Sequence, residues 1–304
     1  MITDEEVFDD DHLPQRLLHR DAAVDQLSRL IQPRLGTIGE DVLISGPSGV
    51  GKSVLAHHTL DHMADGSDLR YVRIECLGLS STASVLRAIL HALPGDNPPV
   101  NTPTEDLALY LRERVDERTV VILDEAEDLP ETDALDRLGD VDLLASVIIC
   151  HNPTEWLART SDRMRRRLVG NEIQLDRLGT DELADVLEVR AEEGLRHGIV
   201  GRDQLLAIAD ERAGMPRPGI QSLYVAAMLA KQRGHPSILD RDIADCYERA
   251  DRRMRQLALN SLPFHHRVYY ELLRRGGPCS GTALERRYGE IADGIYRDRT
   301  DKPV

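Results

Sequence analysis

Lysine is nearly missing from this chain: Lys52, Lys231 and Lys302 are the only three in 304 residues, so almost all of the 38 basic side chains are arginine. Against them stand 53 Asp and Glu, giving a formal net charge of −15. That balance repels bare phosphate backbones and excludes a protein that binds nucleic acid by overall positive charge. Abundant carboxylates with scarce lysine also point to a halophilic source, where salt screens the self-repulsion; an ordinary acidic cytosolic protein is the plainer alternative. Long apolar runs are missing too. No segment approaches a membrane span, and the acidic start MITDEEVFDDD has neither the basic nor the apolar region of a signal peptide, so the expectation is a cytoplasmic protein with no membrane partner. The four cysteines, Cys76, Cys150, Cys246 and Cys279, are far apart and form no C-x-x-C pair, which favours buried thiols over disulfides or zinc ligands. His58 and His62 share a helical spacing, but Thr59 stands where a zinc protease would need Glu, so no metal site is expected there. Neither internal repeats nor low-complexity segments occur, and 41% hydrophobic residues suffice for two packed domains.

The scarcity of lysine gives weight to one place where it does occur. Gly46-Pro47-Ser48-Gly49-Val50-Gly51-Lys52-Ser53 follows the apolar run Val42-Leu43-Ile44 and reads as a phosphate-binding loop. Glycines let backbone N–H groups turn inward around phosphates, Lys52 is placed to reach the β and γ oxygens, and the Ser53 hydroxyl suits Mg²⁺. Such a loop implies a nucleoside triphosphate.

Short apolar runs alternate with helical patterns: 42–45, 71–76, 120–123, 147–150 and the weaker 173–175. This alternation predicts an α/β fold with a mainly parallel sheet covered on both faces. Pro94 to Pro103 is loop, and Thr102-Pro103-Thr104-Glu105 reads as a capping box with proline at the first helical position, ahead of Leu107, Leu111 and Val115. Beyond Leu175 amphipathic helices are expected over 180–194, 203–213, 220–232 and 240–256, then two short ones over 265–274 and 282–288.

The run Val120 to Leu123 ends in Asp124-Glu125, which suits Mg-nucleotide chemistry: Asp124 to hold Mg²⁺ and Glu125 to polarise the attacking water. Taken alone the pair is equally a solvated strand end. The next run ends at His151-Asn152-Pro153, where Asn152 is either a polar group within reach of the γ-phosphate or a turn residue before proline. Arg163 and Arg165-Arg166-Arg167 form the one dense basic cluster here, readable as a trans-acting arginine, a solvated face or a DNA-backbone contact. Gly214-Met215-Pro216-Arg217 opens a helix, so that Arg217 is available to a nucleotide on domain closure.

With these pieces in order, the chain resembles the archaeal replication-initiator ATPases related to the origin recognition complex and its cell-division-cycle loader, within the AAA+ superfamily. The likeness runs from Phe8, Leu13-Pro14 and Leu18-His19-Arg20-Asp21 through GPSGVGKS, ILDEAEDL, Asn152, Arg167 and LGTDELADVLEVR to AGMPRPG. It implies an αβα AAA+ nucleotide-binding domain (1–178), a helical lid (179–258) and a partial winged helix (259–304). It further implies ATP and Mg²⁺ as cofactors, weak ATP hydrolysis serving as a switch, and catalytic roles for Glu125, Asn152, Arg167 as finger and Arg217 as second sensor. Nucleotide contacts are implied at Arg190 and at position 178, where the family's tyrosine is replaced by Leu178. The expected partners are origin-type double-stranded DNA, bound weakly by this chain alone, and further copies or a full-length paralogue, with a chromosome-associated location. The sequence departs from the family at Glu75-Cys76 and Thr82-Ala83-Ser84, where Asn-Cys and an Arg-Tyr pair are usual. Only 16 residues follow Tyr288, where a recognition helix and wing are expected. A small-molecule kinase and a signalling or transposition-helper ATPase remain the alternatives.

Overall fold

The computed structural model describes residues 1–32 and 40–295. The chain divides into two compact units, Met1–Asp251 and Arg252–Val304. In the first, α1 (Asp21–Ile31) precedes β1 (Val42–Ser45), α2 (Lys52–Ala64), β2 (Leu69–Glu75), α3 (Thr82–Ala92), α4 (Thr104–Arg114), β3 (Arg118–Asp124), α5 (Asp133–Leu138), β4 (Leu144–Cys150), α6 (Pro153–Arg159), α7 (Asp162–Leu168) and β5 (Glu172–Gln174). All pairings are parallel, in the order β2-β3-β4-β1-β5. The inner strands β1, β3 and β4 are buried almost throughout because helices cover both faces, whereas the edge strands β2 and β5 alternate buried and exposed positions. Within β3, Val120 and Ile122 join the core shared with α1 and α2, whereas Val121 and Leu123 join the one shared with α3, α4 and α5. That two-residue alternation fixes the register, since a slip of one would exchange the two faces.

Thr102 to Glu105 corrects one expectation. No side-chain cap forms: Pro103 is itself the N-cap of α4, and the Thr102 hydroxyl donates to the Pro99 carbonyl instead. Proline fixes the entry backbone without a side-chain acceptor, and a local turn has taken the hydroxyl. Real reciprocal capping occurs at α3, where Ser81 and Ser84 exchange bonds of 3.0 and 3.2 Å.

After the sheet come α8 (Thr180–Gly194), α9 (Arg202–Glu211), α10 (Pro216–Gln232) and α11 (Asp240–Ala244). The single helix expected over 240–256 is broken at Asp245: α11 ends there, and α12 (Cys246–Ser261) begins in the first unit and ends in the second. These helices have their own core, and the N-terminal segment belongs to it. Phe8 is fully buried against Tyr224, with ring centroids 5.4 Å apart, and Gly194 lies so close beneath its ring that any Cβ would collide.

The second unit contains α13 (Phe264–Gly276) and α14 (Gly281–Ile295), the latter a turn or more longer than the sequence pattern indicates. Tyr269 and Tyr288 stack between them at 4.5 Å. Residues 296–304, the last part of the expected winged helix, lie outside the described residues.

Candidate nucleotide site

The carboxyl ends of β1, β3 and β4 meet at the phosphate-type loop. Gly46, Gly49 and Gly51 have φ of 143°, 76° and 100°, values L-residues with side chains rarely adopt, and a Cβ on Gly46 would collide with the Leu175 carbonyl. Gly51 then starts α2, whose N-terminus faces the loop. Lys52 is folded inward, donating to the carbonyls of Gly46 at 2.8 Å and Pro47 at 3.0 Å, and burial lowers its pKa against the pull of Glu127 and other nearby carboxylates. An incoming phosphate would exchange those two neutral acceptors for charged ones. Pro47 and Ser48 lie exposed along the loop, whereas Val50 is buried and its carbonyl accepts from Arg20, which also bonds Asp176.

Ser53 and Asp124, seventy-one residues apart, meet directly: the hydroxyl donates to Oδ1 at 3.0 Å. A hydroxyl and a buried carboxylate juxtaposed beside a phosphate loop fit Mg²⁺, whose hard oxygen preference both satisfy. The next residue, Glu125, has φ 55° and ψ 46°, a left-handed conformation uncommon outside glycine, and its N–H donates to Asp124 Oδ1 at 3.1 Å. Such strain concentrates at functional positions. Burial, followed by the nearby Glu75 and Asp124 charges, raises the Glu125 pKa. The loop after it is held from below: buried Trp156 donates its indole N–H to the Ala126 carbonyl at 3.1 Å, and Arg159 bonds the carbonyls of Glu127 and Leu129.

Asn152 follows the end of β4, the strand between those of the loop and of Asp124, but its side chain caps α6, with Oδ1 accepting from the Glu155 N–H at 3.3 Å. Arg217 is brought to the loop: its own N–H donates to the Gly49 carbonyl at 3.2 Å, and its Cβ would be 3.3 Å from a Cβ on Gly49. Its guanidinium grips Asp10 in two bonds of 3.0 and 2.6 Å.

Three other candidates are engaged elsewhere. Leu178 is buried in the helical core and bonds the Gly214 carbonyl, so its side chain packs within protein. Arg190 is buried and donates to the carbonyls of Val7 and His12, which makes it an anchor for the N-terminal segment. Arg167 forms a 2.6 Å ion pair with the buried Asp41, just before β1 and thus at the opposite end of that strand from the loop. Arg163 and Arg165 are likewise paired, with Asp140 and Asp162. His58 and His62 bond main-chain carbonyls, and no cluster able to hold a metal through His, Cys, Asp and Glu alone occurs among the described residues. All four cysteines are free thiols, and burial pushes those of Cys150 and Cys246 up to about 12.

Sequence reasoning overlooked Arg73. It lies near the carboxyl end of β2 and places Nε and Nη2 on Asp124 Oδ2 at 3.1 and 2.8 Å. The alternation in Tyr71-Val72-Arg73-Ile74-Glu75 was the available signal: a charged residue on the outward-turned positions of a parallel strand, at the end where such sheets bind ligands.

A parallel sheet ordered 2-3-4-1-5 with a phosphate loop after its first strand and carboxylates after its third defines a AAA-type nucleotide-binding module, and the AAA domain family matches residues 42–187. Beyond that domain, the chain is similar along its whole length to archaeal ORC1-type DNA replication proteins. It is 28% identical over 99% of its length to ORC1-type DNA replication protein 9 of Halobacterium salinarum, covering 86% of that protein. With ORC1-type DNA replication protein 1 of the same organism the identity is 27%, covering 100% of this chain and 97% of the relative. Among solved structures, the Aeropyrum pernix ORC1 protein in complex with DNA superposes with a TM-score of 0.74 at 22% identity, covering 100% of this chain and 84% of that one. The A. pernix ORC2 protein, solved with ADPNP and ADP, gives 0.72 at 20% identity, covering 99% and 86%. No helix among the described residues is long and apolar enough to cross a membrane.

Proposed function

We propose that the chain is an ATP-binding, replication-initiator-like switch acting on double-stranded DNA, with a sheet module (1–178), a lid (179–258) and a DNA-facing terminal module (259–304). The observation that carries this is the Ser53–Asp124 contact beside Lys52, with Arg217 of α10 seated over Gly49. One spot then collects a phosphate cradle, a Mg²⁺-type oxygen pair and an arginine from the helices that follow the sheet. Bound Mg²⁺ would neutralise phosphate charge. Ser53 and Asp124 would hold it, Lys52 would bind the terminal phosphates, and Glu125, its pKa raised by burial, would orient and polarise the attacking water. Arg217 can report a γ-phosphate only by leaving Asp10, an exchange between partly exposed partners that costs little. Any action of Arg167 on a neighbouring copy requires opening its pair with Asp41. Slow hydrolysis with state-dependent contacts suits a switch better than a metabolic catalyst.

With a net charge of −15, DNA contact must come from local arginines and from assembly with other copies or a full-length paralogue. The chain alone is expected to bind duplex weakly and with little sequence preference. Anisotropy titrations against origin and scrambled duplexes, at several salt concentrations with ATP and with ADP, test this. Tight origin-selective binding by the monomer would overturn the dependence on assembly, and identical behaviour with both nucleotides would overturn the switch.

A further inference from the structure

The centre of the candidate site is strongly acidic. Asp124 ends β3 and Glu125 follows it, Glu75 ends the neighbouring strand in register with Asp124, and the Glu127 charge also acts on Lys52. A nucleotide polyphosphate brings several more negative charges to this place. Lys52 alone would offset little of that. Arg73 is the second cation here, and its geometry is specific: both Nε and Nη2 donate to one oxygen, Oδ2, of a carboxylate whose side chain is only 4% exposed. The other oxygen, Oδ1, accepts from Ser53 Oγ and from the Glu125 N–H. Asp124 is therefore fully hydrogen-bonded and charge-compensated by groups of the chain itself. The guanidinium remains 33% exposed and also faces Glu75 at 3.6 Å and Asp11 at 3.5 Å, so it has other acceptors if Oδ2 is taken from it.

We propose that Arg73 is a built-in cation of the nucleotide site, holding Asp124 compensated so that nucleotide binds with little dependence on Mg²⁺, and releasing Oδ2 to turn to a neighbouring acid when the metal enters. The inference rests on the reading that nucleotide binds at the Gly46–Ser53 loop. Its physical content is a linkage. Mg²⁺ and the guanidinium both compensate the Asp124 charge, so each lowers the gain from the other, and the coupling between metal and nucleotide must be weaker with Arg73 than without it. A guanidinium that merely stiffened the sheet edge would change stability and leave that coupling alone.

The test is calorimetric titration of ADP into the full chain, at saturating Mg²⁺ and in EDTA, for the wild type, Arg73→Gln and Arg73→Lys. The wild type should lose less than about tenfold in affinity on metal removal. Arg73→Gln should lose at least about tenfold more than the wild type does, the scale of one charge-assisted hydrogen bond, while Arg73→Lys falls between. Equal Mg²⁺-to-EDTA ratios in wild type and Arg73→Gln would overturn the proposal. If Arg73→Gln does not fold, a wild-type ratio above about tenfold overturns it equally. A wild type that binds no ADP under either condition would refute the site assignment itself, a distinguishable result.

Discussion

Removing the Arg167 guanidinium should damage the fold before it affects any chemistry. Asp41 has a side chain only 2% exposed, and besides Arg167 it bonds Ser146, whose N–H donates to it at 2.8 Å. In Arg167→Ala the carboxylate would keep its hydrogen bonding to Ser146 and lose its counter-charge. Breaking a buried pair from one side costs about 3–5 kcal/mol; Arg167 is 29% exposed, so water can partly replace it, and the lower figure of about 3 is expected. With a urea slope of about 2–3 kcal/mol per molar, the unfolding midpoint should fall by about 1 M. The chain's single tryptophan, Trp156, is buried in the sheet module and reports on that module's unfolding by fluorescence. The sign of the pH dependence also follows. Burial raises the Asp41 pKa and Arg167 opposes the rise, so in the variant the carboxyl protonates more readily in the folded state than in the unfolded one. The penalty is therefore full above the folded pKa and shrinks as pH falls through it. Adding Asp41→Asn should recover part of the loss, because the amide still accepts from Ser146 without a charge to compensate. An unchanged midpoint, combined with lost hydrolysis only at concentrations where protomers assemble, would refute this reasoning and assign Arg167 to a neighbour's nucleotide.

Lys52→Ala should abolish ATP binding, since it removes the loop's one mobile positive charge; calorimetry showing normal affinity would contradict the site. Glu125→Gln should bind ATP and lower single-turnover hydrolysis by about 10²-fold or more. Because the Glu125 pKa is raised, the wild-type rate should fall as pH drops through a value above the ordinary glutamate range, and the variant should lack that acid limb. Gly214→Ala should destabilise by more than about 1 kcal/mol, because φ is 74° and the new Cβ would collide with the Leu178 carbonyl; urea unfolding measures this.

What could be read from the sequence was whatever has a local signature. Apolar runs located all five strands, with ends off by a few residues, because buried parallel strands carry continuous Val, Ile and Leu. The loop glycines and Lys52 were legible because their spacing is the chemistry. Contacts across the chain were not. Nothing local tells that Arg167 meets Asp41 or that Arg190 reaches back to Val7 and His12, since exposed helical arginines look alike before packing. The Thr102 capping box failed for the opposite reason: the pattern was present, but a turn to Pro99 competed for the same hydroxyl. The role of Arg73 depends on the β2–β3 register that sets Glu75 beside Asp124, and a strand's neighbour is not written in the strand.

The seating of the N-terminal segment among the helices that follow the sheet bears on how this molecule can move. His12 is held by Arg190 of α8, and Pro14 is held by His58 of α2 at 3.1 Å, leaving Leu13 alone between the two anchorages. Two residues of fully extended chain span about 7 Å at most, so α2 and α8 stay close there for as long as both bonds hold. The polypeptide passes from sheet to lid a second time at Asp176 to Gly179, where Arg20 clasps the Asp176 carbonyl. The Arg217 N–H on the Gly49 carbonyl and His19 on Asp185 add further ties, so the helices after the sheet can shift against the phosphate loop only by giving up several polar contacts together, the Asp10–Arg217 pair among them.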